Sequence, residues 1–114
     1  MADTCLFCRI VAGEIPATVV HETARTLAFR DITPKAPVHV LVIPKDHTEN
    51  VAAMVAADPG LAAEVLATAA TVAEAEGVAE GGYRLLFNSG PDSGQEVFHV
   101  HAHVLGGRRL GALA

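Results

Sequence analysis

Apolar and polar residues follow two different periods along the chain, and these periods predict the order of its elements. Five segments rich in β-branched or apolar residues are predicted to be strands: 18–22, 26–30, 38–43, 83–88 and 97–105. The third is nearly all apolar, which is typical of a central strand. Between the third and fourth strands, residues 61–73 carry apolar side chains at helical spacing. Asp58-Pro59 predicts the start of this main helix, and Gly77 predicts its end.

Two shorter helical segments complete the pattern. One precedes the turn at Gly13, and the other begins at a cap formed by Thr48 or Asn50 and reaches about Met54 or Val55. The order indicates an α+β fold: a five-stranded antiparallel sheet with one main helix and one or two short helices. The 114 residues contain no linker or repeat, so we expect a single domain over residues 1–114.

Composition and charge narrow the class of protein. The chain is 51% hydrophobic and 18% charged, which is typical of a globular protein. Its net charge of -5 argues against a nucleic acid polymer as partner, although a single nucleotide needs only a local pocket. The longest apolar region, 51–78, is interrupted by acidic residues and Pro59-Gly60, so no membrane span is expected. The first five residues lack the pattern of a secretory leader, so a cytoplasmic location is expected.

Three histidines in the predicted fifth strand are the most informative feature of the sequence. Side chains alternate between the two faces of a strand, so His99, His101 and His103 are predicted to share one face. The other face is predicted to be core: Phe98, Val100, Ala102 and Val104. Three interpretations of the histidines are open, namely surface residues, a three-histidine catalytic zinc site, or covalent catalysis by an imidazole.

A second candidate site lies near the N-terminus. Cys5-Leu6-Phe7-Cys8 has the spacing with which two thiolates bind one zinc ion. A thioredoxin-like redox site is disfavoured, because the four residues before Cys5 leave no room for the strand it would need. Buried structural cysteines are the remaining alternative.

The histidine segment also resembles a known family. His99 to Leu105 has the His-φ-His-φ-His-φ-φ pattern, with φ apolar, of the histidine-triad superfamily, and the following Gly106-Gly107-Arg108 resembles its Hint branch of nucleotide phosphoramidases. Further segments match that branch in order and spacing: Phe7, Ile10, 14–16, 27–29, Asp31-Ile32, Pro34, 36–37, His39, 41–45, His47 and 88–95. The resemblance therefore implies one HIT-like domain over nearly the whole chain.

The resemblance implies catalytic roles for four residues. His101 matches the nucleophile, which would attack a nucleotide α-phosphate and form a nucleotidyl-histidine intermediate. His103 matches a histidine that contacts the phosphate, and His39 one that sits beside the triad. Asn88 matches an asparagine near the leaving group.

The resemblance also implies a nucleotide pocket. Asp31 matches the carboxylate that holds the ribose hydroxyls; by itself it would be interpreted as a turn residue. The base pocket would be apolar: Phe7, Ile10, Ile15, Phe29 and Ile32. The phosphate would rest on a turn formed by Gly94, Gln95 and Glu96, with the Glu96 side chain pointing away or only its N–H used.

The remaining implications concern metal, substrate and assembly. In related proteins, two histidines complete a zinc site with a cysteine pair, and the matching positions here are His47 and His99 with Cys5 and Cys8. Such a zinc site would be structural and not part of the chemistry. A homodimer is implied, with purine nucleoside phosphoramidates or related adenylates as substrates. The alternatives are a dinucleoside polyphosphate hydrolase, a nucleotide-binding regulatory adaptor and a zinc hydrolase.

Overall fold

The computed structural model describes residues 4–113, and these residues form five strands and three α-helices. In chain order the elements are α1 (Leu6–Val11), β1 (Val19–Glu22), β2 (Thr26–Arg30), β3 (Val38–Pro44), α2 (Val51–Ala57), α3 (Pro59–Ala75), β4 (Tyr83–Phe87) and β5 (Ala102–Gly106). No helix within this range has the length and apolar character needed to cross a bilayer. The expectation about a secretory leader was based partly on residues 1–3, which lie outside the described residues.

The strands form one antiparallel sheet in the order β1-β2-β3-β5-β4. The predicted α+β fold is therefore confirmed, with α3 as the main helix and α1 and α2 as short ones. β3 lies in the centre of the sheet with six of its seven residues buried, as its apolar composition predicted.

Local signals set the ends of the helices. The Asn50 side chain accepts a hydrogen bond from the Ala53 N–H and caps α2. Of the two predicted caps, Thr48 and Asn50, the structure therefore uses Asn50. Asp58 caps α3 in the same way through the Leu61 N–H. Gly77 follows the end of α3 with φ +75°, a conformation that glycine adopts without strain.

The sheet has a packed core on each of its two faces. One face packs against α3 through a core that includes Ala28, Val40, Val42, Val65, Val72, Ala102 and Val104. The opposite face carries a smaller core under α1, formed by Phe7, Leu27, Phe29, Leu41 and Ile43. Alternation along β3 and β5 places His39 and His103 on this second face, away from α3.

The predicted start of the fifth strand is wrong. β5 begins at Ala102 and not at Val97, because β3 ends at Pro44, which has no N–H to extend the ladder. The Val100 N–H instead donates to the carbonyl of Thr48, at 2.7 Å. Phe98, predicted to lie in the core, is consequently 43% exposed.

Candidate active site and metal cluster

His101 is held in one tautomer by the chain just before it. Its Nδ1–H donates to the carbonyl of His99 at 2.8 Å, so the lone pair of the neutral ring lies on Nε2. The ring is 8% exposed and packs edge-on against Phe7, with ring centroids 5.1 Å apart. Burial lowers the pKa of His101, which keeps the imidazole neutral and nucleophilic near pH 7.

Two further imidazoles and a carboxylate form a second group beside His101. The Lys35 N–H donates to His39 Nδ1 at 3.0 Å, so the proton of neutral His39 is on Nε2. That Nε2–H donates to His103 Nδ1 at 3.0 Å and lies 3.5 Å from Asp31 Oδ2. The proton of His103 is therefore on its own Nε2, a buried donor with no acceptor among residues 4–113. This chain of bonds directs one unpaired N–H donor into the site.

Burial also governs the charge of this pair. It lowers the pKa of His39, and it lowers the pKa of His103 to about 4, with a further contribution from the neighbouring imidazoles. Both rings are thus neutral near pH 7.

An apolar cavity of about 460 Å³ is lined by Phe7, whose ring packs against His101. All five residues expected in the base pocket line it: Phe7, Ile10, Ile15, Phe29 and Ile32. Phe7 and Phe29 also belong to the buried core, whereas Ile32 is 98% exposed at the rim. Asp31 lies at the edge of this cavity, and its Oδ1 accepts the Thr33 N–H in a turn, which leaves Oδ2 toward His39.

The loop after β4 holds the residues expected at the phosphate. Gly94 has φ +88°, which turns the chain sharply and keeps the surface free of a side chain. Gln95 is 5% exposed, and its side-chain amide is occupied by the loop: Nε2 donates to the carbonyls of Glu49 and Val97, and Oε1 accepts the Gly90 N–H. The Gln95 side chain therefore shapes the loop and has no N–H left for a ligand.

Asn88 and Glu96 reach the other cavity of the site. Both line a space of about 430 Å³ next to His103, together with His39 and Asp31. Glu96 also lines the apolar cavity, so its exposed side chain lies where the two spaces meet.

Cys5, Cys8, His47 and His99 form a compact cluster on the far side of Phe7. His99 Nδ1 is 3.5 Å from each sulfur, His47 Nδ1 is 3.4 Å from Cys8 Sγ, and the two Nδ1 atoms are 3.2 Å apart. A tetrahedral zinc ion with Zn–N of about 2.0–2.1 Å and Zn–S of about 2.3 Å separates its ligands by about 3.3–3.8 Å. The cluster has the dimensions of such a site.

Hydrogen bonding prepares this cluster for a cation. His99 Nε2–H donates to the carbonyl of Pro44 at 2.8 Å, which leaves the lone pair of Nδ1 toward the cysteines. Burial and the neighbouring Cys5 raise the pKa of Cys8 to about 11, so a thiolate here requires a compensating positive charge.

These positions exclude one interpretation of the three histidines. His99 belongs to the cysteine cluster, and the Nδ1 of His101 is committed to a main-chain carbonyl. Among the described residues, His99, His101 and His103 do not form a single ligand cluster.

Comparison with known proteins then decides the family. The HIT domain model matches residues 12–110. The chain belongs to the HIT domain family.

Similar HIT proteins extend over the same length. The purine nucleoside phosphoramidase of Escherichia coli strain K12 is 42% identical over 113 residues, covering 99% of this chain and 95% of that protein. The 14 kDa zinc-binding protein of Brassica juncea is 43% identical, covering 92% and 94%. The crystal structure of a HIT family hydrolase from Legionella pneumophila Philadelphia 1 is 52% identical with a TM-score of 0.91, covering 95% and 96%. The chain is therefore an enzyme, a HIT-family hydrolase.

Sequence reasoning about this HIT enzyme missed one part of the site. Arg84, Arg108 and residues 110–113 line the cavity next to His103, although none of them was assigned to it. Strand alternation carried a signal for Arg84. It lies two residues before Leu86 on the same face of β4, and Leu86 lies opposite His103 and lines the same cavity. For the C-terminal segment no comparable local signal exists.

Proposed function

We propose that this HIT enzyme cleaves purine nucleoside phosphoramidates or related adenylates at the α-phosphate, through a nucleotidyl intermediate on His101. The observation that carries the proposal is the His101 Nδ1–H bond to the His99 carbonyl, which aims a lone pair from a buried, neutral ring. The similarity to the E. coli phosphoramidase supports the substrate class.

In the first half of the proposed reaction, His101 Nε2 forms a bond to phosphorus and the P–N bond breaks. The anionic phosphate raises the pKa of His103 as it binds, so the His39–His103 pair takes up one extra proton. This proton passes to the departing amine. The N–H of Glu96, just after the Gly94 turn, is the main-chain donor proposed for the charge on the non-bridging oxygens, because the N–H groups of Gly94 and Gln95 already donate to the carbonyls of Pro91 and Gly90. Asn88 lies near the leaving group.

In the second half, a water molecule attacks the nucleotidyl-histidine. A P–O bond forms, the His101–phosphorus bond breaks, and its electron pair returns to Nε2. The proton of the water restores the one that the imidazole pair had given up, so the sum is phosphoramidate plus water to nucleotide plus amine.

The nucleotide is proposed to bind across the two cavities. A flat purine fits the apolar cavity between Phe7, Phe29 and the exposed Ile32, which supply contact surface and little polar discrimination. The Asp31 carboxylate at the edge of the cavity would accept from the ribose hydroxyls.

Zinc is proposed as a structural ion at Cys5, Cys8, His47 and His99. The interatomic distances and the tautomer of His99 support this, as does the similarity to the Brassica zinc-binding protein. A zinc ion held there links α1 to the segment before β5, and its four protein ligands leave no open position for substrate.

The test is the release of AMP from adenosine 5′-phosphoramidate. His101→Ala is expected to reduce kcat by at least about 10⁴-fold, whereas the matched variant His21→Ala on β1 should retain wild-type turnover. Single-turnover samples quenched in alkali should carry AMP covalently on His101, detected by mass spectrometry. Full turnover without His101 would refute the nucleophile. Nucleotide binding without turnover in the wild type would favour the adaptor, and faster hydrolysis of dinucleoside polyphosphates would favour that substrate class.

Assembly and location complete the proposal. We propose a homodimer of one-domain subunits, because the edge strand β4 and the outer face of α3 leave Tyr83 and Leu66 exposed. The cytoplasm is the proposed location. Sedimentation at micromolar concentration is expected to give twice the monomer mass, and a monomer would contradict the dimer.

A further inference from the structure

Two arginines next to the active site have no role in the proposed chemistry. Arg84 and Arg108 line the 430 Å³ cavity that begins at His103. Both also line a surface depression near Gly82, whereas Asp31, Lys35 and Glu96 are shared with the apolar cavity at the opposite end. The end beside the nucleotide pocket therefore carries two carboxylates and one ammonium group, and the end away from it is basic.

Strand register gives the direction and distance of the basic end. In the β4–β5 pair, Leu86 lies opposite His103, and Arg84 lies opposite Leu105. Arg84 and His103 are thus on the same face, two register steps apart, which is about 7 Å along an antiparallel strand. Two leucines form the floor between them.

Neither guanidinium is neutralised. Within residues 4–113, no carboxylate lies within ion-pair distance of Arg84 or Arg108. Arg84 Nη2 donates to the Gly111 carbonyl at 2.7 Å, and Arg108 Nη2 donates to the Lys35 carbonyl at 3.1 Å. These carbonyls fix the positions of the two cations and leave both charges, and several N–H donors, available.

We propose that this cavity is a leaving-group subsite, and that Arg84 and Arg108 select phosphoramidates whose amine carries a distal carboxylate. The inference rests on the proposed function, because a group expelled from phosphorus beside His103 enters this cavity. A short aliphatic spacer lies over Leu86 and Leu105, and the carboxylate reaches the guanidinium groups. The P–N bond breaks and the amine takes its proton as described above, so the arginines bind the leaving group and take no part in proton transfer.

The experiment compares two substrates that differ only in distal charge. One is AMP joined through nitrogen to β-alanine, with a free carboxylate, and the other is the corresponding β-alanine amide. Wild-type kcat/KM is expected to favour the carboxylate by about 10-fold, the lower range for a hydrogen bond to a charged group. Arg84→Gln and Arg108→Gln should each bring this ratio toward one while the amide is cleaved at the wild-type rate. Arg84→Lys should keep part of the preference.

Controls separate charge selection from support of the C-terminal segment. Loss of the Arg84–Gly111 bond alone would change both substrates equally and leave the ratio intact. Arg109→Gln is the matched control, because Arg109 is the next residue but does not line the cavity. A wild-type ratio of one, or a ratio that survives in the double variant Arg84→Gln/Arg108→Gln, would overturn the subsite.

A binding measurement keeps the subsite testable apart from catalysis. The Kd values of the same two compounds on His101→Ala, measured by calorimetry, should differ in the same direction without turnover. Equal Kd values would count against the subsite. Failure of the wild type to cleave adenosine 5′-phosphoramidate would refute the proposed function, while unequal Kd values would still support the anion-binding end of the cavity.

Discussion

Two clusters of similar side chains lie on either side of His101, and their main-chain partners give them opposite chemistry. In the cysteine cluster, the Pro44 carbonyl accepts the Nε2–H of His99 and leaves a lone pair toward Cys5 and Cys8. In the other cluster, the Lys35 N–H donates to His39 Nδ1 and leaves a proton toward the neighbouring groups.

This difference decides which cluster can hold a cation. Asp31, His39 and His103 also bring three ligand atoms within 4.8 Å of one another. A metal ion there would have to displace the proton of His39 Nε2 while Nδ1 still accepts a main-chain N–H, and neutral imidazole has only one lone pair to offer. The lesson is that residue types alone do not distinguish a metal site from a proton-sharing site.

The largest expected effect within this comparison separates the two clusters by activity. His103→Ala removes the unpaired N–H donor and should lower kcat for adenosine 5′-phosphoramidate by about 10²–10⁴-fold, with zinc content unchanged. Steady-state kinetics and metal analysis of the same preparation provide the test. Loss of zinc in this variant would show that the clusters are not independent.

The second prediction is the converse. Cys8→Ser should weaken zinc binding by more than about 100-fold, since even changes around metal ligands cost about 10–100-fold. Zinc per chain, measured by mass spectrometry, should fall from one toward zero, and the thermal midpoint should drop. Chelation of the wild type should lower the midpoint likewise, while turnover persists below the new midpoint. Activity that disappears on chelation in still-folded protein would make the metal part of the chemistry.

The third prediction uses pH. Burial lowers the pKa of His103 to about 4 in the folded protein, against about 6.5 when unfolded, so the unfolded state binds more protons between these values. This contribution to stability is present above pH 6.5 and is lost as pH falls toward 4, by up to about 3 kcal/mol. The titratable and charged groups that face the ring are the same in the wild type and in a His103 variant: Asp31, His39, His101 and Lys35.

Urea unfolding between pH 7 and 4.5 checks the acid dependence. His103→Gln should flatten the decline in unfolding free energy, because it removes the titrating group. A decline as steep as that of the wild type would assign the acid sensitivity elsewhere.

The smallest expected effect concerns the ring between the two clusters. Phe7 packs edge-on against both His99 and His101, with centroids 5.9 and 5.1 Å away. Phe7→Leu keeps the apolar volume approximately and should cost about 1 kcal/mol of stability, raise KM several-fold and leave zinc content unchanged. A large loss of kcat with normal KM would mean that Phe7 orients the nucleophile more strongly than it shapes the base cavity.

Much of the fold was predictable because its signals are local. Apolar alternation, the caps at Asn50 and Asp58 and the stop at Gly77 each act within a few residues. The start of β5 was not predictable in this way, because it depends on where the partner strand β3 ends at Pro44. The same long-range effect exposed Phe98, whereas His99 joins Cys5, Cys8 and His47 as the family resemblance implied.

The candidate site divides along the same line. Strand alternation placed His101 and His103 on one face, and the family resemblance implied that His39 lies beside them. The five apolar residues implied by the resemblance do line one cavity. The occupied amide of Gln95 and the basic end formed by Arg84 and Arg108 had no such signal, since both depend on contacts between distant segments.

The sequence by itself determined the order of the elements and the ends of the main helix. It also determined the spacing of the three histidines and of the two cysteines. All of these depend on periodicity and on spacing between near neighbours. Only the tertiary structure decided which nitrogen of His99 and of His39 carries its proton. That choice depends on a carbonyl 55 residues from His99 and on a turn that brings the Lys35 N–H back to His39. A neutral imidazole presents a lone pair on one side and a proton on the other, so the main-chain group on its far side determines its chemistry.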